Sequence, residues 1–359
     1  MNNPDRTNAI RRFGRAACAI VPALATMALC GCRNPPAATP AAPAATVTET
    51  REMLSTFLSL TVVAETEPQA REHIEAGFAR IVELDKELSA HRPDSALAAV
   101  NAQAARAPVA VPDDLYRILD AAVAWYPKSH RVFDITVDPL IDLWKTCAKE
   151  DRLPAAADFA CVKPLLGADR LVLDPAARTV RYPVEGMKVD LGGLGKGSVA
   201  DEVVKLLRRR GVDDALVSMS GDIYALGRKS GGQPWRVGVQ DPRYPRSSGA
   251  LITVLGLADR AVSTSGNYER FCEIRGKRYS HIVDPRTGWT ADAVASVTVI
   301  GQDTLTTDIL DTALSVLGVE EGLKLVAGLP GVEAMFIEID EKGEPHVTRS
   351  PGFAKYEIQ

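Results

Sequence analysis

Apolar residues fall at helical spacing in four stretches of the chain. Ile74, Phe78, Ile81, Leu84 and Leu88 share one face of a segment from Gln69 to Ser89. Leu115, Ile118, Leu119 and Val123 do the same between Asp113 and Tyr126, and Val199, Val203, Leu206 and Leu207 between Ser198 and Arg210. A fourth face, Leu305, Ile309, Leu310 and Leu314, runs from Thr304 to Leu317. Elsewhere the pattern changes to alternation or to short apolar runs, which predict strands over residues 54–62, 215–219, 223–226, 235–239 and 251–257. A hairpin is predicted over 171–182, and no internal repeat is evident.

With 359 residues the chain is long enough for one large domain or two small ones. A hydrophobic fraction of 46% with 25% charged residues is that of a globular protein. The net charge of −4 argues against nucleic acid as a partner.

The N-terminus departs from this composition. Arg11, Arg12 and Arg15 precede an apolar run from Ala16 to Leu29 that is too short to span a bilayer. Leu29-Cys30-Gly31-Cys32 resembles a bacterial lipobox. Residues 1–31 are therefore expected to be a lipoprotein signal peptide, cleaved before a lipidated Cys32. Residues 32–49, mostly Ala, Pro and Thr, have almost no large apolar side chain and are expected to be a tether. Residues 50–359 would form the folded domain, lipid-anchored to the bacterial inner membrane and facing the periplasm. Of the remaining cysteines, Cys147 and Cys161 bracket a polar insertion and are candidates for a local disulfide, with Cys272 left over. No cysteine or histidine spacing suggests zinc.

The densest sequence signal is Lys188-Val189-Asp190-Leu191-Gly192-Gly193-Leu194-Gly195-Lys196-Gly197-Ser198. Four glycines within six residues exclude a strand or helix interior and place a loop before the helix at Ser198. Backbone amides of such a loop, the helix N-terminus and Lys196 can together meet an anion. A phosphate-binding P-loop needs Ser or Thr directly after the Lys, where this chain has Gly197. A dinucleotide fingerprint needs a third glycine where Ser198 stands. A plain strand-to-helix turn remains the alternative.

Asp-Leu-Gly-Gly-x-x-Lys-Gly resembles the signature loop of the ApbE family, the FAD:protein FMN transferases. Other stretches follow in that family's order: Phe133-Asp134-Ile135-Thr136-Val137, Ser220-Gly221-Asp222-Ile223, Thr264-Ser265-Gly266, Tyr279-Ser280-His281-Ile282 with Asp284-Pro285 and Thr287-Gly288, and Thr307-Asp308 with Thr312. The resemblance covers most of the chain from about residue 50 to 340 and implies one α+β domain of mixed, mostly antiparallel sheets flanked by helices. It implies FAD contacts at Ser55, His91, Val132, Phe133, Asp134, Asp190, Lys196, Asp222 and His281. The family's Met-Gly is Leu54-Ser55 here, its stacking aromatic is His91, and His130 and Arg131 replace small residues.

The implied reaction moves FMN from FAD to a Thr or Ser hydroxyl of a partner flavoprotein subunit and releases AMP. The partner supplies the nucleophile, so none is needed here. Asp308 and Thr312, four apart on one helix face, suit a hard cation that prefers oxygen. Mg²⁺ is expected there, with the Gly195 carbonyl completing the set. Asp311 stands where the family has a small residue and would either add a ligand or face solvent. His281 is expected to take the attacking hydroxyl's proton, oriented by Asp284. Two alternatives remain open: a Mg²⁺-dependent FAD pyrophosphatase, with water as the nucleophile, and a non-catalytic FAD-binding lipoprotein.

Overall fold

The computed structural model describes residues 44–358, apart from 54, 55, 91, 230, 245 and 269. The expected signal peptide, Cys32, most of the tether, Ser55 and His91 lie outside the described residues. In chain order the first elements are β1 (Ala45–Met53), β2 (Thr56–Ala64), α1 (Glu67–Leu88), α2 (Ala96–Gln103), β3 (Val109–Ala110), α3 (Asp113–Lys128), α4 (Asp138–Lys149) and α5 (Ala156–Val162). Next come β4 (Val172–Asp174), β5 (Thr179–Arg181), α6 (Gly195–Arg209), β6 (Ala215–Met219), β7 (Asp222–Leu226), β8 (Trp235–Gln240), β9 (Leu251–Leu257) and β10 (Arg260–Gly266). The chain ends with β11 (Phe271–Ile274), β12 (Lys277–Ser280), β13 (Ser296–Gly301), α7 (Thr304–Ala327), β14 (Glu333–Ile339), β15 (Pro345–Arg349) and β16 (Glu357–Ile358).

Eight strands form the central sheet in the order β1-β2-β6-β7-β10-β13-β14-β15. Every pairing among the described residues is antiparallel. One face of the sheet buries Leu58, Leu60, Val217 and Met219 against Ile74, Phe78 and Ile81 of α1 and Val199 and Val203 of α6. Farther along that face, Val297 and Val299 meet Leu310 and Leu314 of α7. The opposite face buries Val262, Ile300, Met335 and Ile337 against Trp235, Val237 and Leu255 of a smaller sheet, ordered β16-β9-β8. Alternation along each strand thus feeds two cores, the α+β arrangement implied by the resemblance.

Two expectations need correction. The tether boundary at 49 falls inside β1, which pairs with β2 from Ala45 to Met53. β1 is an edge strand with Val47 as its one buried residue, so it shows no apolar pattern to read. Cys147 and Cys161 are free, as is Cys272. Cys147 points into a small core with Trp144, Ile274 and Tyr279, whereas Cys161 faces outward. No helix among the described residues is long and apolar enough to cross a membrane.

Candidate active site

The site forms where the glycine loop enters α6. The Asp190 N–H donates to the Ile135 carbonyl at 2.8 Å and ties the loop to the 132–137 segment. The Asp190 carboxylate stays within the loop, where Oδ1 accepts from the Gly192 N–H at 2.7 Å. Gly193 is needed for space, since a Cβ there would stand 3.1 Å from Thr312 Oγ1 and 3.2 Å from the Phe133 ring. Gly197 is needed more strictly, because its Cβ would lie 2.3 Å from the Thr304 carbonyl oxygen and 2.8 Å from Asp308 Cβ. The glycines therefore bring the N-terminal turns of α6 and α7 into direct backbone contact.

That contact assembles a charged cluster. Asp308 and Asp311 come from α7, and Asp222 comes from the first position of β7. All three are buried, and one carboxylate oxygen of each lies within 4.8 Å of the others. Lys196 Nζ sits 2.9 Å from Asp222 Oδ2 and 3.4 Å from Asp308 Oδ1. The Gly197 N–H, one of the helix amides without a partner inside α6, donates to Asp308 Oδ2 at 2.8 Å. Thr312 Oγ1 donates to Asp311 Oδ1 at 3.3 Å.

The electrostatics of this cluster are unbalanced. Burial raises the pKa of Asp308, and the Asp222 carboxylate raises it further. Burial likewise raises that of Asp311 well above the usual carboxylate range, with Asp308 and Asp222 adding to the shift. Burial alone would lower the pKa of Lys196, but Asp222 and Asp308 outweigh it and the ammonium stays charged. One ammonium against three carboxylates leaves two negative charges when all are ionised. A set of buried, unbalanced oxygen donors fits a hard divalent cation.

His281 follows β12 directly. Its backbone N–H donates to the Arg270 carbonyl at 3.2 Å, and its Nδ1 lies 2.9 Å from the same oxygen. A carbonyl can only accept, so Nδ1 carries the proton and Nε2 keeps its lone pair. Part of the ring is open to solvent. The protein packed around it disfavours the charged form and pushes the pKa below the usual 6.5, against the opposing Arg270 carbonyl bond.

The structure brings Lys196, Asp222, Asp308, Asp311 and Thr312 together and assigns other duties to several candidates. Asp311 does not face solvent; it is 1% exposed and belongs to the cluster. Asp222, expected as a flavin contact, is placed with the other two carboxylates and beside Lys196. Gly195 opens α6, and its carbonyl accepts from Ser198 Oγ at 2.8 Å besides its place in the helix ladder. Val132 and Phe133 are core residues, with the Phe133 ring beneath Gly193. Asp134 holds its own loop: Oδ1 accepts from the Thr136 N–H and hydroxyl at 2.8 and 2.6 Å, and Oδ2 from the Gly167 N–H at 3.0 Å. Asp284 does not orient His281; its carboxylate is engaged by the Arg286 guanidinium at 2.9 Å and by the Arg286 N–H. The Arg270 carbonyl, which does orient the ring, is a backbone group that no residue pattern announces.

The sequence model of the ApbE family matches residues 54–336. The chain is 37% identical over 295 residues to an FAD:protein FMN transferase of Treponema pallidum, an alignment covering 77% of this chain and 80% of that protein. It is 34% identical over 270 residues to an FAD:protein FMN transferase of Klebsiella pneumoniae, covering 74% and 83%. The crystal structure of the apo flavinyl transferase ApbE of Pseudomonas stutzeri superposes with a TM-score of 0.76 at 30% identity, covering 88% of this chain and 97% of that one. Fold, glycine loop and sequence agree, and the chain belongs to the ApbE family.

Proposed function

We propose that this protein transfers FMN from FAD to a Thr or Ser hydroxyl of a partner flavoprotein subunit and releases AMP. The observation that carries this reading is the buried cluster of Lys196 with Asp222, Asp308 and Asp311 at the N-terminus of α6, a place suited to a pyrophosphate and its counter-ion. The acceptor hydroxyl oxygen attacks the phosphorus of the FMN half. The bond from that phosphorus to the bridging oxygen breaks, and AMP leaves with the electron pair. The hydroxyl proton passes to Nε2 of His281, the nitrogen that the Arg270 carbonyl leaves free.

Lys196 and the first amides of α6 offset charge that grows on the phosphate oxygens. Asp308, Asp311 and Asp222, with the Thr312 hydroxyl and the Gly195 carbonyl, would hold Mg²⁺. When bound, that ion would neutralise pyrophosphate oxygens as they approach the carboxylates. Incubation with FAD, Mg²⁺ and a candidate flavoprotein subunit is the test. Covalent flavin fluorescence on the subunit is the expected result. Free FMN plus AMP would point to hydrolysis, and intact FAD to binding alone; either outcome overturns the reading.

The residues before Ala44 support a second part of the proposal, that the enzyme is a lipoprotein working on the periplasmic face of the inner membrane. Support comes from the basic start, the short apolar run and the lipobox-like Leu29 to Cys32. Cys32→Ser is expected to release the protein from the membrane fraction and to block processing by the lipoprotein route. A variant that remains lipidated and processed refutes the anchor.

A further inference from the structure

Asp201 was not among the sequence candidates. It lies one turn after Gly197 on α6, so the two share a helix face. Asp201 Oδ1 accepts from the Thr304 N–H at 2.8 Å and Oδ2 accepts from the Leu305 N–H at 2.9 Å. These are the first two residues of α7. The first four amides of a helix have no partner within it. The helix's own cap, Asp303, meets the Thr306 N–H at 2.8 Å. The other helix thus supplies a charged fork for two more amides, at the end of α7 where negative charge is favoured.

Beside this fork, Gly197 lets the Thr304 carbonyl approach within a distance that excludes any side chain. Thr304 and Asp308 are four apart in α7, so whatever fixes the start of the helix also fixes Asp308. Asp308 in turn meets the Gly197 N–H and Lys196. Both oxygens of Asp201 are taken by backbone amides, so its influence on the cluster runs through α7.

We propose that Asp201 is a positioning residue that locks the register of α7 against α6 and thereby sets the oxygen geometry that Asp308, Asp311 and Thr312 offer to a cation. This rests on the metal reading given above. It has a consequence that ordinary helix capping does not share. Mg²⁺ demands near-octahedral oxygens at about 2.0–2.1 Å, whereas Ca²⁺ tolerates irregular sites at about 2.3–2.6 Å. A loosened register therefore penalises the smaller ion more.

The test is calorimetric titration of the FAD-free protein with Mg²⁺ alone and with Ca²⁺ alone. Asp201→Asn preserves volume but presents an amino group to one of the two amides. It is expected to weaken Mg²⁺ binding by about tenfold or more, the range found for residues that orient metal ligands. Ca²⁺ binding should change by less than about threefold on the same coordination argument. Asp303→Ala removes a cap bond of the same helix and should lower the melting temperature while leaving the Mg²⁺ to Ca²⁺ ratio intact. If Asp201→Asn folds poorly by circular dichroism, Asp201→Ser, which keeps one acceptor, takes its place with the same expectation. A folded Asp201 variant with wild-type affinity for both ions overturns the inference, as does an equal loss for both ions or the same shift in Asp303→Ala. A wild type that binds neither ion instead refutes the metal reading itself.

Discussion

Replacement of Asp308 by Ala is expected to lower FMN transfer at least about a thousandfold, equivalent to about 4 kcal/mol of transition-state stabilisation. Asp308 meets both the Gly197 amide and the Lys196 ammonium at the start of α6. Thr312→Ala should cost less, since a hydroxyl contributes no full charge. Asp311→Ala should cost more than Thr312→Ala, because its buried carboxylate is part of the cluster. Asp308→Ala also leaves the Gly197 amide without its acceptor, at about 1–3 kcal/mol. Asp308→Asn is therefore the cleaner variant: it can still accept that bond but has lost the charge.

The pH dependence follows from the direction of the shifts. The pKa values of Asp308 and Asp311 are raised in the fold, so their contribution to stability is full below the unfolded carboxylate range. It is lost as pH rises through the folded values. A cation that binds the ionised forms reverses this loss, and protons compete with it at low pH. The rise in melting temperature on adding Mg²⁺ should thus be larger at pH 8 than at pH 5 and largely absent in Asp308→Asn. An unchanged Mg²⁺ response in that variant, together with wild-type transfer at low Mg²⁺, would sink the metal site.

His281→Ala is expected to lower kcat/KM by about 10²–10⁴-fold, the usual contribution of a positioned general base. The wild-type profile should carry an acidic limb. The His281 pKa lies below the ordinary 6.5, so Nε2 is free at neutral pH, and activity falls as pH drops through that lowered value. The variant should lose the limb together with the rate. The Arg270 carbonyl fixes the tautomer through its backbone, so Arg270→Ala should leave the limb in place. A His281→Ala enzyme that keeps the limb, or keeps wild-type kcat/KM with covalent flavin still formed, assigns the base to another group.

The four helical faces and three strands of the central sheet, β2, β6 and β7, are legible in the chain because they depend on spacing within one segment. Gln69–Ser89 and Glu67–Leu88 describe the same helix, and the strand over 215–219 falls on β6. The glycine loop is legible only in part: Gly192 and Gly193 form the turn, but α6 begins at Gly195 and not at Ser198, because Gly195 and Gly197 take helical backbone in its first turn, where a Cβ at 197 would strike α7. Asp308 and Thr312 share a face by helix geometry alone. An edge strand such as β1 is different, because it buries one side chain and takes its conformation from hydrogen bonds to β2.

The roles of the carboxylates were decided only in three dimensions. Asp134, Asp190, Asp201, Asp222, Asp284 and Asp311 are one residue type, yet each has its own duty set by what surrounds it. Asp134 and Asp190 hold loops, Asp284 pairs with Arg286, and Asp201 bridges two helices. Asp222 and Asp311 share a buried cluster because β7, α6 and α7 pack at one point. Local pattern determines which segments become helix or strand. A side chain's charge state and partner depend on burial and on groups distant in the chain, and those are fixed only when the two helices close on the sheet.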